Sequence, residues 1–178
     1  MSNSEIILVR PAPEHEAAAA EYVAEHSADG SHINGSGGLA HASNYSLWLK
    51  QLERDENISV SITAIVPSST FFAVRICDGR IVGMTNIRHL LNNELLHGAG
   101  HIGYGVRPSE RRKGYASEYI LPLALEYCRE MGIHRVLVSC NRNNTGSART
   151  IQKNGGVLEN EVFENDGTIL QRYWIEIK

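Results

Sequence analysis

Hydrophobic positions along this chain change their period several times, and each change marks an element. Ile6 and Leu8 alternate with their neighbours in a short strand, Glu5–Arg10, which Pro11 and Pro13 end. From Glu14 to about Ala28 the chain is rich in alanine and glutamate, the composition of a helix, and Asp29-Gly30 stops it. Ser31–Gly38 holds too much glycine for a regular element and reads as a mobile loop. A second helix, Ser43–Arg54, carries Tyr45, Trp48, Leu49 and Leu52 at helical spacing. Between Asn57 and Pro67 the residues Ile58, Val60, Ile62, Ala64 and Val66 alternate as in a strand, yet Pro67-Ser68-Ser69 breaks the run. That stretch is either an edge strand or an extended loop.

Phe71–Ile76 and Ile81–His89 are clearer strands, and Asp78-Gly79 between them suits a two-residue hairpin turn. Ala99–Val106 follows as a strand unusually rich in glycine, which marks a bulge or a close approach by another backbone or a ligand. Tyr115–Met131 is a long helix with Ile120, Ala124, Tyr127, Cys128 and Met131 as its buried stripe. Pro122 kinks it or loosens its first turns, because the ring clashes with the carbonyl four residues back. Arg135–Cys140 is a short buried strand. Asn144–Lys153 is a helix capped by Asn144 or a neighbour and closed at Gly155. Val157–Phe163 and Thr168–Ile177 form a last hairpin about Asn165-Asp166-Gly167. The order predicts an α/β sandwich, with a mixed, largely antiparallel central sheet flanked by helices, in one domain spanning 1–178.

Composition narrows the function rather than the fold. A chain of 178 residues buries a real core, and its net charge of −3 gives no case for nucleic acid or a membrane as partner. The basic cluster Arg107–Lys113 is therefore local, which suits a small anionic ligand. Three widely spaced cysteines, Cys77, Cys128 and Cys140, make neither a disulfide framework nor a zinc signature. Reduced thiols, with no apolar leader or spanning run, imply a cytoplasmic protein.

The chain is organised around Val106–Ala116, which runs from a strand end through a basic turn into the long helix. A helix start leaves backbone N–H groups unpaired and carries partial positive charge, so it attracts phosphate. Gly114 and Ala116 leave room for a diphosphate, and Arg111, Arg112 and Lys113 add cationic donors. Read blandly, the same residues are a solvated basic turn.

Arg-x-x-Gly-x-Ala (Arg111, Gly114, Ala116), directly after a strand ending Val-x-Pro (Val106, Pro108), resembles the acyl-CoA-binding signature of the GNAT superfamily of N-acetyltransferases. Asn144-x-x-Ser147 leading into Lys153-Asn154-Gly155-Gly156 resembles that family's second element, at its usual distance. The resemblance implies the GNAT fold, with a splayed strand pair, here Ala99–Val106 and Arg135–Cys140, that receives pantetheine. It implies acetyl-CoA as cosubstrate and no metal. Backbone groups of Tyr104 and Val106 would hold the pantetheine arm, with Gly103 and Gly105 allowing its approach. Arg111, Arg112, Lys113, Gly114, Tyr115, Ala116 and Ser117 would hold the diphosphate, and Asn144 would touch the pantetheine arm as well as cap its helix.

Acetyl transfer to an amine needs a polarised thioester, a neutral amine and a stabilised thiolate. Where many members of the family place a tyrosine acid, this chain has Ile151, which cannot give a proton. Ser147 sits where some branches place a serine for that task, and it is either that acid or a helix cap. His101 and His89, at adjoining strand ends, are base candidates or simply hydrogen-bonded histidines, with Glu94 and His97, in the connecting loop, weaker ones; water can also deprotonate the amine. Gly98–Gly103 spells Gly-x-Gly-x-x-Gly, but a strand follows where a dinucleotide fold needs a helix. His97 and His101 are four apart, but the glycines between them exclude the helix a zinc pair would need.

The expected function is acetyl transfer from acetyl-CoA to a primary amine by direct attack; the alternative is an acyl-CoA-binding module without turnover. The acceptor is a small-molecule or peptide amine, and a homodimer is compatible with this. Substrate choice is expected from His32–Leu39, from the helix around Tyr45 and Trp48, and from the hairpin near Glu161–Asp166. Glu94, Glu159 and Glu161 are candidate anchors for a cationic amine.

Overall fold

The computed structural model of the chain describes residues 5–58 and 65–177. Residues 59–64, the middle of the stretch between Asn57 and Pro67, lie outside them. Four strands, β1 (Ile6–Val9), β2 (Ser68–Arg75), β3 (Arg80–Arg88) and β4 (Ile102–Val106), pair antiparallel in that order. A second antiparallel sheet holds β5 (Arg135–Asn141), β6 (Val157–Phe163) and β7 (Ile169–Glu176), with β7 in the middle. The two sheets meet at one isolated bridge, Gly100 to Val138, and beyond it β4 and β5 part. The helices are α1 (Glu16–Asp29), α2 (Tyr45–Glu56), α3 (Asn93–His97), α4 (Leu121–Glu130) and α5 (Thr145–Lys153).

Alternation along the strands gives each sheet face its own core. On one face Tyr22 of α1 and Trp48 of α2 pack against Phe72, Ile81 and Met84. On the other, Leu121, Ala124 and Cys128 of α4 pack against Phe71, Ile87 and Ile102 and also against Val136, Val138 and Ile175 of the second sheet. One helix thus spans both sheets and holds them as a unit. Each such buried aliphatic or aromatic side chain contributes roughly 1.5–3 kcal/mol.

Pro122 acts as its chemistry requires. Ala116–Ile120 is a π-turn, continuous with α4, in which Leu121 N–H reaches back to Ala116 O. The wider turn accommodates the ring and the missing N–H without ending the helix.

Three local expectations are corrected. The β2–β3 connection pairs Arg75 with Arg80, so its loop has four residues rather than two, with Asp78 held by Arg75 at 2.7 Å. Residues 93–97, expected as loop, form α3, with Asn92 Oδ1 accepting from Leu95 N–H at 2.9 Å. Tyr45 and Trp48 are core residues with no surface to offer a substrate: Tyr45 donates to Ala12 O at 2.9 Å, and Trp48 Nε1 donates to Gly37 O at 3.0 Å.

Candidate active site

Where β4 and β5 separate, a cleft of about 730 Å³ opens. One wall is Tyr104, Gly105 and Val106 of β4; the other is Asn144, Gly146, Ser147 and Thr150 at the start of α5. Its floor is the turn that carries Arg111, Arg112, Gly114, Tyr115, Ala116 and Ser117, and His26, Ser31, His32 and Asn34 close the remaining side. Of the residues expected to bind the cosubstrate, all but Lys113 line this space. His101 does not line it.

The turn follows from its sequence. Pro108 starts a short 3₁₀ turn, Arg112 takes φ 62° and Gly114 φ 84°, and the chain then enters the helix. The first helical bonds come from Ser117 and Glu118, both donating to Gly114 O, at 3.1 and 2.9 Å. The amides from Arg112 to Ala116 therefore have no acceptor within the helix. Those amides, with the Arg112 guanidinium, fit a diphosphate.

The other basic groups of the cluster are already engaged. Arg107 pairs with Glu25 at 2.5 Å, Arg111 with Asp29 at 2.8 Å, and Lys113 with Glu110 at 2.9 Å. Glu110 is buried and also meets Arg75 at 2.9 Å. Glu25 further accepts the Ser109 N–H at 2.7 Å. Burial alone would raise the Glu25 carboxyl, but the hydrogen bonds from Arg107 and Ser109 outweigh it and hold the group at about 2. These acids brace the turn from α1. They were not singled out in the sequence, where a spacing of four shows only that Glu25 and Asp29 share a helix face.

At the far end of the cleft Tyr104 OH and Ser147 Oγ are 2.8 Å apart. Burial pushes the Tyr104 hydroxyl up to about 12, so it stays protonated at neutral pH. Asn144 caps α5, its Oδ1 accepting from Ser147 N–H at 3.0 Å, which leaves the Ser147 hydroxyl free to face Tyr104. Ile151 lies wholly in the core.

Two expectations about β4 change. His101 is buried; its N–H donates to Leu137 O at 2.7 Å, and its Nδ1 accepts Leu137 N–H at 2.9 Å. Burial, helped by the nearby Arg88 charge, pushes its imidazole down to about 4. The ring fastens β4 to β5 where they begin to part, a role that needs the neutral form. His89 is likewise held, with Nε2 2.8 Å from Ser69 Oγ. Gly105 and Gly35 make room for protein: a Cβ on Gly105, which also lines the cleft, would lie 2.8 Å from Asn34 O, and one on Gly35 would lie 2.4 Å from Gly103 O, whereas one on Gly103 would meet only ordinary contacts at 3.6 Å. The glycine-rich segment 31–38 is thus not a free loop but is laid against β4.

Among the described residues no group of three metal-binding side chains comes together, and no helix is long and apolar enough to cross a membrane. Two antiparallel sheets parted over a helix-start anion cradle are the architecture of an acyltransferase. The chain belongs to the GNAT acetyltransferase domain family, whose domain matches residues 5–157. Among solved structures it is similar to the ribosomal-protein-S5-alanine acetyltransferase from Vibrio fischeri, at 16% identity, covering 99% of this chain and 94% of that one, with TM-score 0.72. A ribosomal L7/L12 α-N-protein acetyltransferase in complex with coenzyme A is 15% identical over 99% of this chain and 97% of that one, TM-score 0.70. The microcin C7 self-immunity acetyltransferase, solved with acetyl-CoA and AMP, is 19% identical over 98% and 94%, TM-score 0.69. At these identities the likeness speaks to the fold. No curated protein gives a significant sequence match.

Proposed function

We propose that this protein transfers the acetyl group of acetyl-CoA to a primary amine by direct attack in a ternary complex, with the whole chain as the catalytic unit. The observation that carries this is the continuity of one cleft, about 730 Å³, from the unpaired amides of the turn to the Tyr104–Ser147 pair. The amides of Arg112 to Ala116 and the Arg112 guanidinium take the diphosphate, and the backbone of Tyr104 and Val106 lines the path of the pantetheine arm.

The balance of the reaction fits the remaining groups. The amine nitrogen forms a bond to the carbonyl carbon, the C–S bond breaks, and the amine proton leaves to water. The departing sulfur takes a proton from Ser147 Oγ, which draws one from Tyr104 OH, and the water that took up the amine proton returns one to Tyr104 as CoA leaves, so no net proton is gained or lost. This pair supplies what Ile151 cannot. A thiol-release assay with acetyl-CoA over a panel of amines tests the reading: release that depends on an amine supports it. Tight CoA binding with no release for any amine points instead to a binding module.

A further inference from the structure

Of the three carboxylates expected to receive a cationic amine, Glu94 is exposed on α3 and the other two are occupied. Glu159 pairs with Arg172 at 2.9 Å, while Glu161 meets Arg142 at 3.4 Å and Gln171 at 3.0 Å. Among the described residues, the part-buried charge without a counter-ion at the β3–β4 edge is positive. Arg88, at the end of β3, is part-buried, and its Nη1 donates to the Gly100 carbonyl at 3.1 Å. Burial alone shifts it, downward, with no carboxylate acting on it. Residues 59–64, outside the described structure, hold no acidic residue that could serve. By contrast Arg75, Arg107, Arg111 and Arg172 all have carboxylate partners. Withdrawing a guanidinium from water with no anion opposite is unfavourable, so an anion is missing from the picture.

Its place says which anion. Arg88 N–H donates to His101 O at 2.8 Å, and Nη1 lies 4.0 Å from where a Cβ on Gly103 would stand. That is the face of β4 under Gly35, opposite the one on which Tyr104 packs toward α4 and meets Ser147, so an acceptor held there would approach the parting of the strands from the other side. Asn86 and Thr70, bonded at 3.0 Å, continue a polar floor on the same face. Across the parting, Ser139 and Arg172 are register partners, and strand alternation turns both to the side opposite Val138 and Tyr173, which are in the core. Ser139 Oγ and Arg172 Nε are buried without a partner, as donors awaiting an acceptor are.

We infer that Arg88 receives a carboxylate of the acceptor, so the substrates are small molecules bearing both an amine and a carboxylate, that is, amino acids. This rests on the proposed acetyl transfer and narrows it. The planar guanidinium suits a carboxylate two-pronged, and a site built for a buried charge rejects the analogue without it.

The test compares each amino acid with its own carboxamide in the thiol-release assay. For the preferred amino acid kcat/KM should exceed that of the amide by about tenfold or more. Arg88→Gln should bring the ratio to about one by raising KM, and Arg88→Lys should retain part of it, with CoA affinity by calorimetry unchanged in both. Separately, N-acetyl amino acids titrated into CoA-loaded protein should bind, and should fail to bind to Arg88→Gln. Amides or polyamines serving as well as amino acids, or a ratio that survives Arg88→Gln, overturns the inference and leaves acetyl transfer standing. Carboxylate-dependent binding with no turnover of any amine keeps Arg88's role and removes acetyl transfer. Neither turnover nor binding overturns both.

Discussion

The hydroxyls of Tyr104 and Ser147 lie 2.8 Å apart, one on β4 and the other on the first turn of α5, so they join the two walls of the cleft at its inner end. If they form one proton route, they act as a unit. Ser147→Ala should lower kcat by about 10²-fold or more with little change in the KM for acetyl-CoA, the scale of general acid catalysis. Tyr104→Phe should cost less, and the double variant little more than Ser147→Ala alone, since residues acting together are not additive. Full additivity in steady-state rates would separate the two.

Arg112 and Lys113 are neighbours in sequence with different tasks. Arg112, at φ 62°, makes no ion pair among the described residues, whereas Lys113 is tied to the buried Glu110 at 2.9 Å. Arg112→Ala should weaken CoA binding by roughly 5- to 50-fold, the worth of a charged hydrogen bond to phosphate, with the melting temperature near that of the wild type. Lys113→Ala should do the reverse, lowering the melting temperature with CoA affinity nearly kept. Calorimetric titration and thermal melting read both.

His101 should not shape the pH dependence of activity near neutrality. Its folded-state value, about 4, lies below the ordinary 6.5, because burial disfavours the charged ring. The neutral ring therefore contributes stability that is present above pH 6.5 and is lost as pH falls toward 4, when the unfolded chain takes up a proton that the folded chain refuses. His101→Gln should leave the pH profile of kcat/KM between 6 and 9 unchanged in shape while flattening the fall of urea-unfolding stability below pH 6.5. A new inflection in the activity profile would return the imidazole to the chemistry.

Gly105 should tolerate no side chain. Because a Cβ there would stand 2.8 Å from Asn34 O, Gly105→Val should cost about 1–3 kcal/mol in chemical unfolding, as overpacking does. It should also raise the KM for the amine, since the displaced segment borders the face proposed for the acceptor.

Much of this architecture could be read from the chain before any coordinates. Periodicity marked the strands and long helices, and Pro122 announced the loosened helix start, because those patterns are local. The turn from Val106 to Ala116 was legible for the same reason: its glycine, its helix start and its charges are contiguous in sequence. What the sequence could not convey was long-range pairing. Nothing local says that Arg107 and Arg111 are spoken for by Glu25 and Asp29, that Gly105 faces Asn34, or that the imidazole of His101 stands in for a backbone acceptor toward Leu137. Charged and aromatic residues were accordingly over-read as ligand contacts, Tyr45 and Trp48 among them, when the tertiary fold had already used them.

The segment from Glu25 to Gly35 does two jobs at once. Its helical end pairs with Arg107 and Arg111 of the turn proposed to bind the diphosphate, and its looped end rests on β4 on the face proposed for the acceptor. Arg111 also donates to Ser31 Oγ at 2.7 Å, so a perturbation that loosens the first should reach the second. Glu25→Gln should therefore be felt by the amine as well as by the nucleotide, making this stretch a lever between the two substrates rather than a wall for either.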